Sequence, residues 1–88
     1  MLTQDFEIVN KLGLHARASA LLVKTSSPFK SDIKIEREGV SVNGKSIMGI
    51  MMLAASKGSN IRVKVDGEDE DVAMAAISEL IRNGFGEE

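Results

Sequence analysis

Strict alternation of apolar and charged residues recurs along this chain, and it limits the possible folds more than any other feature. "SDIKIERE" (31–38) sets Ile33 and Ile35 against charged neighbours, "NIRVKVDG" (60–67) does the same with Ile61, Val63 and Val65, and "LTQDFEIV" (2–9) places Phe6 and Ile8 two apart. Side chains on a strand point to opposite faces with period two, so each stretch reads as a half-buried strand. "GVSVNG" (39–44) continues the pattern with Val40 and Val42, and Gly39 reads as a hairpin turn. Three helix-compatible runs separate or follow the strands. "ARASALLVKTSS" (16–27) carries Leu21, Leu22 and Val23 as its buried stripe and stops before Pro28, the only proline. "SIMGIMMLAASKG" (46–58) has Ser46 as N-cap and Gly58 as its stop. The last run, 68–83, opens with acids, places Ala73, Ile77 and Leu80 on one face and has Arg82 near its end, which suits the helix dipole. The predicted order is β-α-β-β-α-β-α. Strands with one wet and one covered face argue for a four-stranded antiparallel sheet with the helices on one side, an α+β two-layer fold.

At 88 residues the chain is expected to be one domain, 1–88, with room for two packed layers and not for a full nucleotide-hydrolysing domain. A formal net charge of −2 and the absence of Trp and Tyr speak against a nucleic-acid partner. Without cysteine there is neither a disulfide nor thiolate chemistry. Met1 to Glu7 lacks the basic and apolar pattern of a signal peptide, and no apolar run approaches membrane-spanning length. The expectation is a soluble cytoplasmic protein without membrane insertion.

"GVSVNGKS" (39–46) fits the phosphate-loop spacing G-x-x-x-x-G-K-[ST]. Such a loop must curl its amides inward after a buried strand, whereas Val-Ser-Val-Asn alternates as a strand does, so the match is read as coincidence. Its last residue remains informative. Ser46 is placed to cap the second helix, and a helix N-terminus also tolerates a phosphate on that hydroxyl.

"GLHARAS" (13–19) holds the only histidine, at the junction of a turn and a helix. One histidine and no cysteine make a metal or haem site improbable, and no cofactor is called for. The backbone amides of Ala16 and Arg17 are orphan donors of a first turn, and the Arg17 guanidinium suits phosphate oxygens. A helix N-terminus disfavours imidazolium and so leaves a ring nucleophilic. These groups can hold a phosphoryl on His15. The residues alone leave open a capping histidine without chemistry, with Arg17, Lys24 and Lys45 as ordinary surface cations.

"NKLGLHARAS", "GKSIMGIMML" and "ASKGSNIRVKVDGEDE" together resemble HPr, the family of histidine-containing phosphocarriers of the bacterial phosphoenolpyruvate-dependent phosphotransferase system. The resemblance runs over nearly the whole chain. It implies an open-faced β-sandwich, and a phosphoryl group taken on Nδ1 of His15 from phosphorylated enzyme I and passed to an EIIA-type acceptor. It also implies that Arg17 steadies the phosphate and that Ser46 is a regulatory site for an HPr kinase/phosphorylase. The alternative within the same fold is a regulatory interaction protein acting through its phosphorylation state. The protein is expected to be a monomer.

Beside the resemblance, Leu14, Ile47, Met48 and Met51 are expected near His15 as a docking surface, with Ile50 and Leu53 turned inward and Lys24 and Lys45 attracting an acidic partner. Methionine is soft enough to meet several partners in turn, although it also fills cores. The chain departs from the family in carrying Ala18 where most members have proline. "IRNGFGEE" resembles the nitrogen-branch carriers of the family, while "GKSIMG" resembles the sugar-branch type.

Overall fold

The computed structural model describes residues 1–87. It contains β1 (Leu2–Glu7), α1 (Ala16–Ser26), β2 (Asp32–Arg37), β3 (Val40–Asn43), α2 (Ile47–Met52), β4 (Asn60–Asp66) and α3 (Glu70–Arg82), followed by a tight turn over Gly84–Gly86 whose three residues all have positive φ. The strands form one antiparallel sheet in the order β1-β4-β2-β3. Phe6 lies opposite Ile61, Ile33 opposite Val65 and Ile35 opposite Val63, so the apolar set of three strands shares one face. Slipping any strand by one residue would turn that set to water, which is how the alternation enforces the register.

All three helices cover the apolar face. Ile8, Leu22, Ile35, Ile50, Val63 and Ile77 are wholly buried between the two layers. The opposite face is a ladder of charge, with Arg62 Nε 2.8 Å from Asp5 Oδ1 and Lys64 Nζ 3.6 Å from Glu36 Oε2. Exposed pairs of this kind contribute about 1 kcal/mol at most, so burial on the covered face holds the sheet. The open-faced α+β architecture expected from the sequence is the one observed.

The hairpin between β2 and β3 turns on Glu38 and Gly39, with φ of 50° and 83°, and closes on the pair Arg37 and Val40. Two central residues with positive φ give the twist that matches the flanking strands. Asp69, just before α3, accepts from the backbone N–H of Lys30 at 2.8 Å and of Ser31 at 2.9 Å, and from the Ser31 hydroxyl. Those donors, the hydroxyl foremost, hold its carboxyl down to about 2, and they tie the loop after α1 to the start of α3.

Three local expectations are corrected. In α1 the inward stripe is Ala18, Ser19, Leu22 and Ser26, while Leu21 and Val23 are half-buried, because the core lies toward a face rotated from the apolar triplet. α2 ends at Met52 instead of continuing to Gly58. Ala54 takes φ of 50°, and the chain leaves the helix so that Ala55 O can accept from Leu14 N at 2.8 Å and Gly58 N can donate to Ile8 O at 2.8 Å. β1 stops at Glu7: Ile8 N still donates to Ser59 O in register at 2.8 Å, but Ile8 O accepts from Gly58 N while Ser59 N donates to Ser56 O, which breaks the ladder. Among the described residues no helix is long and apolar enough to cross a membrane.

Candidate functional site

Gly13 sets the site. Its φ is +66°, and an added Cβ would run into Ala55 O and the Ser56 backbone, so only glycine lets the loop before α1 lie this close to the exit of α2. Leu14 follows, 4% exposed and inserted in the core. Its burial leaves no side-chain surface for a partner, which corrects its expected place in the docking surface. The next residue, His15, is then presented at the rim as the N-cap of α1, with φ −76° and ψ −178°. Ser19 N donates to His15 O at 2.9 Å, the first intrahelical bond, so the amides of Ala16, Arg17 and Ala18 precede the helical ladder.

Both ring nitrogens of His15 are engaged. Arg17 N lies 3.3 Å from Nδ1 and donates to it, while Nε2 lies 2.8 Å from Glu87 Oε2. An ionised carboxylate can only accept, so Nε2 carries the proton and Nδ1 the lone pair. The two contacts select the same tautomer independently. Asn10 fixes the carboxylate: its Nδ2 donates to Glu87 Oε2 and to Gly13 O, both at 2.8 Å. The His15 hydrogen bond foremost, and that of Asn10, hold the Glu87 carboxyl below the usual carboxylate range.

Glu87 was not legible as part of the site in the sequence, being 72 positions from His15. What brings it there is Phe85, 3% exposed, which takes a left-handed φ of 58° in the turn after α3 and seats the tail in the core. A phenylalanine between two glycines in a polar tail is the signal that was available. Asn10 was missed as well, and so was Leu12, which is 64% exposed in the turn beside His15.

The remaining expected residues divide between the two ends of α1. Arg17 is exposed, makes no ion pair among the described residues, and lines an open hollow of about 500 Å³ with Lys11, Leu12, Gly86 and Glu87. Lys24 is exposed in the last turn of α1, nine residues from His15 and so about 13 Å along the axis. Lys45 Nζ donates to Phe29 O at 2.6 Å, just past that same end, which leaves it half-buried and tethered. α2 therefore runs back along α1, from Ser46 near Phe29 to Ala55 beside Leu14. Ile47, Met48, Met51 and Met52 are 42%, 74%, 40% and 76% exposed, while Ile50 and Leu53 are buried. Ser46 Oγ caps α2 by accepting from Gly49 N at 3.1 Å. The phosphate-loop spacing has no loop beneath it: Gly39 is the hairpin turn and Val40–Asn43 is strand β3.

The pattern of the family described as "PTS HPr component phosphorylation site" matches residues 2–83. The chain is 56% identical to the phosphocarrier protein HPr of Xylella fastidiosa (strain Temecula1), covering 100% of this chain and 99% of that protein. It is 55% identical to the HPr of Neisseria meningitidis serogroup A, covering 99% and 98%. Among solved structures, HPr from Thermoanaerobacter tengcongensis superposes with a TM-score of 0.96 at 48% identity, covering 100% of this chain and 99% of the other.

Proposed function

The chain belongs to the HPr family, the phosphocarriers of the phosphotransferase system, and from that premise we propose that the phosphoryl group travels on Nδ1 of His15. One observation carries the reading: Nε2 faces the Glu87 carboxylate and Nδ1 faces the Arg17 amide, a pair of contacts that assigns the proton to Nε2 and leaves the Nδ1 lone pair at the open end of α1. In the proposed step the Nδ1 lone pair attacks phosphorus in line as the bond to the donor's leaving atom breaks. Nε2 keeps its proton throughout, and the Glu87 carboxylate offsets the positive charge that builds on the ring. The amide of Arg17 turns from Nδ1 to a phosphoryl oxygen, joined by the amides of Ala16 and Ala18 and by the Arg17 guanidinium, which makes no ion pair among the described residues. Such transfer asks chiefly for positioning and charge stabilisation, which these donors supply. Ala18 keeps an N–H that the family's usual proline lacks, so the substitution adds a donor to the site.

The partners of the proposed relay are enzyme I as donor and an EIIA-type protein as acceptor, in the cytoplasm. The proposed docking surface is apolar and runs along α2, from the exposed Ile47 and Met48 at its start to Met51 and Met52 at the end nearer His15, with the exposed Leu12 in the turn before α1. Ser46, half-exposed at the start of α2, is the proposed regulatory phosphorylation site of a kinase/phosphorylase. A phosphate there adds about −2 charge beside Ile47 and Met48, which repels an acidic partner without a change of fold.

Incubation with phosphoenolpyruvate and enzyme I tests the reading. The expected product is an acid-labile phosphoprotein seen by intact mass, absent from a folded His15→Ala variant. A folded wild-type protein that accepts nothing from competent enzyme I, or a His15→Ala variant that still accepts, would overturn it.

A further inference from the structure

Of the five methionines, Met74 is 6% exposed inside the core and Met1 is 69% exposed at the N-terminus, whereas the other three cluster on α2: Met48 and Met52, one turn apart, are 74% and 76% exposed and Met51 is 40% exposed. Residues four apart on a helix lie on one face, so the Met48 and Met52 thioethers stand side by side toward solvent. Met51 and Met52 end the helix whose exit, at Ala55, is bonded to Leu14 beside His15. An exposed thioether is open to oxidation, and its sulfoxide is polar where the parent side chain is apolar and adaptable.

We propose that Met48, Met51 and Met52 form an oxidant-sensitive modification site, at which peroxide converts the thioethers to sulfoxides and so weakens docking at the His15 face. The proposal rests on the docking surface assigned above. In each event the sulfur lone pair takes one oxygen atom from hydrogen peroxide: the O–O bond breaks, an S–O bond forms, the sulfur loses two electrons and water leaves. Thiol-dependent reduction of the sulfoxide restores the original side chain, which makes the modification reversible. A sulfoxide oxygen buried against an apolar partner without a hydrogen bond weakens the complex by roughly tenfold or more. His15 and its hydrogen bonds are untouched, so the effect falls on docking and leaves the chemical step alone.

The test begins with a peroxide time course on the folded protein, read by peptide mass. Met48 and Met52 are expected to take up oxygen first, together with the N-terminal Met1, then Met51 and last Met74; oxidation of Met74 at the same rate as Met48 would overturn the proposal. The oxidised protein is then assayed with phosphoenolpyruvate and enzyme I. The KM for this protein is expected to rise roughly tenfold with kcat held, and treatment with methionine sulfoxide reductase to reverse the rise. A variant carrying Met48→Leu, Met51→Leu and Met52→Leu, whatever its own KM, is expected to show the same KM before and after peroxide. An unchanged KM in the oxidised wild type, or an equal rise in the triple variant, refutes the proposal while leaving the carrier reading intact. Untreated wild type that accepts no phosphoryl group refutes the carrier reading and, with it, the docking consequence of the oxidation.

Discussion

Replacing Phe85 with alanine separates the tail from the rest of the fold and asks what the tail does for His15. Phe85 is 3% exposed, and truncating a fully buried phenylalanine costs about 3–5 kcal/mol when the surrounding core cannot relax. Here the core has an escape. The segment beyond α3 is closed by local bonds, Gly86 N to Asn83 O at 3.2 Å and Glu87 N to Gly84 O at 3.1 Å, and apart from Phe85 it ties back to the fold through the contacts of Glu87 with His15 and Asn10. It can leave without disturbing the sheet, so its own docking free energy caps the loss, and we expect about 2–4 kcal/mol. Urea denaturation should show a lower midpoint at nearly unchanged slope. Nitrogen NMR of the His15 ring supplies the functional half. In the wild type the signals should report one tautomer, protonated on Nε2; in Phe85→Ala, with Glu87 released, they should move toward a mixture. A loss below about 1 kcal/mol together with an unchanged ring would refute the argument that Phe85 seats the carboxylate.

Three further outcomes follow from the same geometry. Glu87→Gln keeps an acceptor but removes the charge opposite Nε2, and should slow phosphoryl acceptance from enzyme I roughly fivefold, measured as kcat with KM little changed. The Asp69 carboxyl is held at about 2, below its unfolded value, so the native state binds its proton less readily. Its stabilising effect is complete above the unfolded value of about 4 and is lost as pH falls through about 2; Asp69→Asn should therefore lower stability at neutral pH and flatten its fall in that acid window, as read by denaturation at a series of pH values. Ala54 holds φ of 50°, a region that costs a non-glycine residue about 1–2 kcal/mol. Ala54→Gly should therefore stabilise the fold by about 0.5–1 kcal/mol after the entropy of glycine is counted, a rise visible in the urea midpoint.

The sheet could be read from the sequence because alternation with period two carries both the strand and the face it buries. Ile33, Ile35, Ile61, Val63 and Val65 are each where the pattern puts them. Helix ends were less legible when tertiary bonds decided them. Nothing local in "LAASKG" announces that Ala54 will take a left-handed conformation so that Ala55 can meet Leu14. The same holds for the site. His15, Arg17 and the first-turn amides are neighbours in sequence and could be grouped by capping logic alone. Glu87 reaches the ring on a tail whose path depends on Phe85 entering the core, a long-range packing event, and Asn10 joins the site only by bonding that carboxylate and Gly13 O. Leu14 illustrates the converse: it adjoins the histidine in sequence, and the close approach at Gly13 turns it inward.

The proposed relay requires His15 to carry the phosphoryl group at the nitrogen that faces the start of α1. Phosphorylation of isotope-labelled protein by phosphoenolpyruvate and enzyme I, followed by phosphorus–nitrogen correlation NMR, tests this directly. Phosphorus is expected to couple to Nδ1 of His15 while Nε2 retains its proton. Coupling to Nε2, or a phosphoryl group on any other residue, would contradict it.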